Sequence, residues 1–251
     1  MRKILYWYLP SFAALIAASL FGYGLVSWLR GDTGTVVDVA PRPVQSSTSR
    51  TKLVPLILGD SLARGTGDET GLGIGGRLVD ELGRRHLQVQ RATNLAVDGA
   101  RTPDLLQRLK SHNVLEVAAQ SNVIVVSIGG NDLWGGTDWR NAPPRDPDAV
   151  MGRVLDQITE IVKELRVVSP SARIFIVGLY NPFVSTPNGA MLTPLVMRWN
   201  AEMTERFSGD ANVVVVPTAD LFAYHDRLST DRFHPSGEGY ALIARRIADS
   251  F

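Results

Sequence analysis

Leu56-Ile57-Leu58-Gly59-Asp60-Ser61-Leu62 is the stretch on which the reading of this chain turns. Residues 53–58 form a short apolar run that predicts a buried strand. It ends in Gly-Asp-Ser, so Ser61 falls on the tight turn that hands the chain from strand to helix or loop. Backbone N–H groups at such a turn point outward and favour developing negative charge. Two later stretches answer it. Residues 123–128 are a second apolar run, closed by Gly129-Gly130-Asn131-Asp132, and Asp231-Arg232-Phe233-His234-Pro235 follows near the C-terminus.

Working outward, apolar runs alternate with helical patterns. Strands are predicted at 53–58, 89–95, 122–128, 173–177 and 213–216. Helices are predicted at 76–85, 103–110, 147–168, 194–207 and 236–248. In the third helix, Val150, Val154, Ile158, Ile161 and Leu165 recur at helical spacing. Continuous apolar strands separated by helices imply an α/β fold: a mainly parallel five-stranded sheet covered on both faces, hence a three-layer α/β/α sandwich. Functional groups in such sheets lie beyond the C-terminal strand ends, where the Ser61, Asn131 and His234 stretches all fall.

A serine hydroxyl needs a general base within reach, and His234 suits that role. Asp231, three residues earlier, can hold one ring nitrogen in a tight loop or helical turn while the other faces Ser61. His225 beside Asp226 is a competing pair without that context, and His86 and His112 read as solvated. No two histidines have metal-ligand spacing, so no metal and no cofactor are expected.

The Gly59-Asp60-Ser61-Leu62 block, Asn94 with Gly99, Gly129-Gly130-Asn131-Asp132 and Asp231-x-x-His234 together resemble the SGNH hydrolases, or GDSL-type esterases and lipases. The likeness spans roughly residues 53–251. It implies a flavodoxin-like SGNH fold, a Ser61–His234–Asp231 triad, and an oxyanion hole from the Ser61 and Gly99 N–H groups and the Asn131 amide. Asn94 reads as a loop-holding residue. Gly67-Asp68-Glu69-Thr70-Gly71 further resembles a bacterial, membrane-tethered branch. Asp60, Leu62, Asp68, Glu69 and Trp134 are candidates for contacting substrate, with Leu133, Trp139, Phe183 and Met191 as possible apolar walls. The expected activity is that of an ester hydrolase acting on a small-molecule, lipid or glycan ester. A carbohydrate O-acetylesterase and a non-catalytic tethered binding domain are the alternatives.

The chain of 251 residues suffices for one such domain. Its net charge of +1, with acids and bases interspersed, gives no basic stripe for nucleic acid. The absence of cysteine removes disulfides and thiol catalysis. Before the domain, Arg2 and Lys3 precede an uncharged stretch of about 26 residues at 4–29, roughly 39 Å as helix. Tyr6, Trp7 and Tyr8 near one end and Tyr23 and Trp28 near the other suit two membrane interfaces. Residues 1–30 are therefore expected to be a single-pass anchor, with the domain on the extracytoplasmic side. A cleaved signal peptide, giving a secreted protein, is the alternative, although Val26-Ser27-Trp28-Leu29-Arg30 is a poor cleavage site. Residues 31–52, with Pro41, Pro43 and a Ser/Thr run, read as linker, leaving 53–251 as the hydrolase domain.

Overall fold

The computed structural model describes residues 2–29, 52–134, 146–186, 189–223 and 225–251. It describes the side chains within these except those of residues 2–11, 13, 28, 29, 134 and 225. The chain divides into two units, Met1–Thr48 and Ser49–Phe251. The first contains helix α1 (Arg2–Leu29). Phe12, Leu15, Leu20 and Phe21 on it are exposed. Among the described residues no helix is long and apolar enough to cross a membrane. The expected span is thus not supported by the fold and stands on the sequence alone. The expected linker, 31–52, lies outside the described residues but for Lys52.

The second unit carries, in chain order, β1 (Pro55–Gly59), α2 (Ser61–Arg64), α3 (Gly73–Arg84), β2 (Thr93–Asn94), α4 (Thr102–Leu109), α5 (His112–Ala119), β3 (Val123–Ser127), α6 (Gly130–Trp134), α7 (Pro147–Val168), β4 (Arg173–Val177), α8 (Thr193–Phe207), β5 (Val213–Val216) and α9 (Gly237–Ala248). The sheet order is β2-β1-β3-β4-β5, and every pairing is parallel. This is the flavodoxin-like order, and its switch point lies between β1 and β3.

The strands read as unbroken apolar runs because both faces are covered. Side chains alternate across the sheet, so Leu56, Leu58, Ile124, Val126, Ile174 and Ile176 enter one core with α4, α5, α7 and α8. Ile57, Val123, Val125, Phe175 and Val177 enter the other, with α3 and α9. The expected second strand, 89–95, narrows to Thr93–Asn94 plus an isolated Leu53–Val89 bridge. Among the described residues it is the sheet edge, bonded on one side only. Gln90 N–H to the Leu53 carbonyl (2.8 Å) and Leu95 N–H to the Ile57 carbonyl (2.9 Å) continue the pairing irregularly.

Candidate active site

Ser61 is the first residue of α2, directly beyond β1. Asp60 caps that helix, accepting from the Leu62 N–H at 3.0 Å. Burial pushes the Asp60 carboxyl up to about 7, against the Leu62 and Ala63 N–H groups, which favour its charge. Asp60 lines the cavity beside Ser61, but its oxygens serve the helix cap. Leu62 lines the same cavity.

His234 arrives on the loop before α9. The loop is folded tightly on itself: Leu228 and Pro235 form an antiparallel bridge, and the Ser229 N–H meets the His234 carbonyl at 2.8 Å. Inside it, Asp231 Oδ1 accepts from Ser229 Oγ (2.7 Å), Phe233 N–H (2.8 Å) and His234 N–H (2.9 Å). Asp231 Oδ2 lies 2.7 Å from His234 Nδ1, and His234 Nε2 lies 2.8 Å from Ser61 Oγ. Asp-x-x-His thus closes in a tight loop, not a helical turn. Burial opposes the charge on Asp231, yet the donors Ser229, His234 and Phe233 hold its carboxyl well below the usual range. Asp231 consequently stays ionised through the neutral range.

Asn131, on α6 at the end of β3, donates one amide hydrogen to the Ala100 carbonyl at 3.0 Å. A carbonyl neighbour requires the NH2 on that side, so the amide's orientation is set, and among the described residues its second hydrogen has no acceptor and can serve a ligand. Asp132 accepts from Thr102 N–H (3.0 Å) and Thr102 Oγ1 (2.8 Å). Consecutive residues of α6 therefore clamp the chain on both sides of residue 101. Gly99, just before the clamp, has φ +74°, a conformation glycine adopts freely. Among the described residues, neither the Ser61 nor the Gly99 backbone N–H donates to a protein acceptor. Gly99 is not part of the cavity wall.

That cavity, of about 40 Å³, is walled chiefly by Leu62, Ile128, Leu179, Tyr180, Pro182 and Phe233, with Ser61, Asn131 and His234 facing it. Tyr180 is a residue that sequence reasoning missed. Its hydroxyl donates to the Phe233 carbonyl at 2.6 Å, tying the end of β4 to the His234 loop. Its only signal was its place just past the fourth strand.

Other candidates lie elsewhere. Asp68 and Glu69 do not face the cavity. Asp68 is gripped by Arg77 through two bonds of 2.9 Å, and Glu69 accepts from the Gly237 N–H at 3.1 Å. Glycine-rich as it is, this loop is neither cleft wall nor merely solvated. Leu133 is buried in the core and Met191 is exposed. Phe183 packs on Phe233, with ring centroids 5.8 Å apart. The side chains of Trp134 and His225, and all of Trp139, lie outside the described residues. Asn94 donates to the Ala63 carbonyl at 3.0 Å and accepts from Ala96 N–H at 3.0 Å, the loop-holding contacts expected of it. His86 and His112 are exposed. Among the described residues no group of side chains could hold a metal.

A family model described as GDSL-like Lipase/Acylhydrolase matches residues 57–242. The Bacillus subtilis (strain 168) protein YpmR, described as uncharacterized, is 31% identical over 207 residues, covering 78% of this chain and 80% of its own. Among solved structures, the lipase Lip_vut3 from a goat rumen metagenome superposes with a TM-score of 0.65 at 21% identity, covering 79% of this chain and 97% of that one. Axe2, an acetylxylan esterase from Geobacillus stearothermophilus, gives 0.59 at 18% identity, covering 80% and 95%. At these identities both are likenesses of fold.

Proposed function

Because this chain belongs to the GDSL-like lipase/acylhydrolase family, we propose that it is a serine ester hydrolase working through an acyl-enzyme. The observation that carries the proposal is the unbroken hydrogen-bonded chain from Asp231 through His234 to Ser61, at 2.7 and 2.8 Å. Ser61 Oγ attacks the ester carbonyl while His234 Nε2 takes its proton. The tetrahedral oxyanion is held by the Ser61 N–H and the second amide hydrogen of Asn131, which face the cavity, with the Gly99 N–H beside its wall as the third donor that the family resemblance implies. His234 then returns the proton to the leaving alkoxide. Water, activated by the same nitrogen, releases the acid. The experiment is a stopped-flow assay with a short-chain p-nitrophenyl ester. A burst of one equivalent of p-nitrophenol per protein is expected, and binding without release would instead indicate a non-catalytic domain.

The largely apolar cavity beside Ser61 suits the acyl part of an ester. An O-acetylated glycan is the second reading, favoured by the fold shared with Axe2, an acetylxylan esterase. Acetate release from acetylated oligosaccharide, compared with hydrolysis of long-chain p-nitrophenyl esters, separates the two.

Asn131→Ala tests the oxyanion role. Removing one such donor typically costs on the order of 10²–10³ in kcat with little change in KM. An unchanged kcat in a well-folded variant would remove Asn131 from the site.

We also propose that residues 1–30 tether the domain outside the cytoplasmic membrane, on the strength of the uncharged stretch at 4–29. The full chain is expected to stay with the membrane fraction after alkaline wash and to keep its N-terminal residues. A mature chain beginning after Trp28 would indicate a cleaved leader.

A further inference from the structure

The run Gly67-Asp68-Glu69-Thr70-Gly71 lies outside the cavity wall, yet it backs directly onto the loop that presents His234. A Cβ on Gly67 would come within 2.8 Å of the Pro235 carbonyl oxygen and 2.9 Å of His234 Cβ. Neither is the far end of a flexible side chain, so any side chain there must displace the loop or the run. Just before the run, the Thr66 carbonyl accepts from the Tyr240 hydroxyl of α9 at 2.7 Å. Within it, Glu69 Oε2 accepts from the N–H of Gly237, the first residue of α9 and three residues past His234.

The run is itself held firmly. Asp68, whose side chain is fully buried, takes the bidentate bond from Arg77 and accepts from Thr70 N–H (3.0 Å), Thr70 Oγ1 (2.8 Å) and Gly73 N–H (2.9 Å). Arg77 belongs to α3, which packs with α9 in one core. With Thr66 before it, the run therefore joins α3 to His234 and to the chain after it at three points: the Thr66 carbonyl, the close approach at Gly67, and Glu69.

We infer that the 67–71 run is a buttress that sets the position of the His234 imidazole, with Gly67 and Glu69 as positioning residues that never touch substrate. This rests on the reading of His234 as the general base. The fit at Gly67 leaves no slack, and a shift of about 1 Å in a catalytic group can cost about 10²-fold in rate.

Gly67 and Gly71 make a matched pair for the test. Both have positive φ, +94° and +69°, so alanine strains the backbone at either, but a Cβ on Gly71 would meet nothing within 4 Å. The measurements are kcat and KM on a short-chain p-nitrophenyl ester beside a melting curve for the full chain and its Gly67→Ala, Gly71→Ala, His234→Ala and Gly67→Ala/His234→Ala forms. Gly67→Ala is expected to lose about 10²-fold in kcat with KM little changed, while Gly71→Ala keeps wild-type kcat. The double variant should be no slower than His234→Ala alone, because a misplaced base costs nothing once the base is gone.

Wild-type kcat in folded Gly67→Ala, or an equal loss in Gly71→Ala, would overturn the inference. So would a double variant in which the two losses multiply. Should Gly67→Ala not fold, Glu69→Ala decides. A fall in kcat at constant KM supports the buttress, and wild-type kcat overturns it. A wild-type protein without turnover, or a His234→Ala variant with full turnover, would instead overturn the reading of His234 as base.

Discussion

Ser61→Ala is expected to lower kcat by on the order of 10⁶, about 8 kcal/mol of transition-state stabilisation, because it removes the only atom that forms the acyl bond. The protein should remain folded. Ser61 is half-buried at the start of α2, its hydroxyl meets only His234 among the described residues, and the helix is capped by Asp60 and not by Ser61. A melting midpoint within a few degrees of wild type is therefore expected. Residual activity above the uncatalysed rate would reflect substrate held against the remaining oxyanion donors. Substantial turnover in a purified, folded Ser61→Ala protein would mean that the attacking group is another residue or water.

Asp231→Asn carries the second largest expected loss, on the order of 10⁴ in kcat. The direction follows from the loop itself. Three donors converge on Asp231 Oδ1, namely Ser229 Oγ and the N–H groups of Phe233 and His234. They require an oxygen there, so the asparagine must turn its NH2 towards His234 Nδ1. That nitrogen then accepts, its proton moves to Nε2, and His234 presents Ser61 with a donor where an acceptor is needed. The packing barely changes, so the loss should appear in kcat with the melting curve nearly unmoved. A folded Asp231→Asn protein within tenfold of wild type would show that the tautomer of His234 does not limit the reaction.

The parts of this molecule that the sequence predicts well are those with a repeating physical pattern. β4 and β5 fall at their expected bounds because a sheet covered on both faces demands unbroken apolar runs. α7 does so because seven of its residues are buried at helical spacing. The three helices absent from the sequence reading are α2, α5 and α6, of four, eight and five residues. α2 and α6 show too few turns for a period to emerge, and α5, as short as α4, lacks the proline that marks the start of α4. Two of them, α2 and α6, carry Ser61 and Asn131, so the motif blocks revealed what periodicity could not. The edge strand β2 was overextended because its apolar residues do not reveal that only one neighbour bonds it.

Long-range polar contacts account for the remaining differences. Asp68 and Glu69 sit near Ser61 in the chain and read as cleft residues. Their partners, Arg77 and the Gly237 N–H, lie 9 and 168 positions away, and only folding brings them together. Tyr180 has the same character: an aromatic residue after an apolar strand reads as core, and its bond to the Phe233 carbonyl depends on the meeting of two loops.

Labelling the full chain with a fluorophosphonate, followed by peptide mass spectrometry and a parallel esterase assay, tests the proposed nucleophile most directly. The reagent forms a stable adduct with a serine oxygen whose proton is taken by a neighbouring base, which is the arrangement of Ser61 and His234 at 2.8 Å. The account predicts a single adduct on the peptide containing Ser61, with activity lost in proportion to labelling. An adduct on a different serine, or esterase activity that survives complete modification of Ser61, would contradict it.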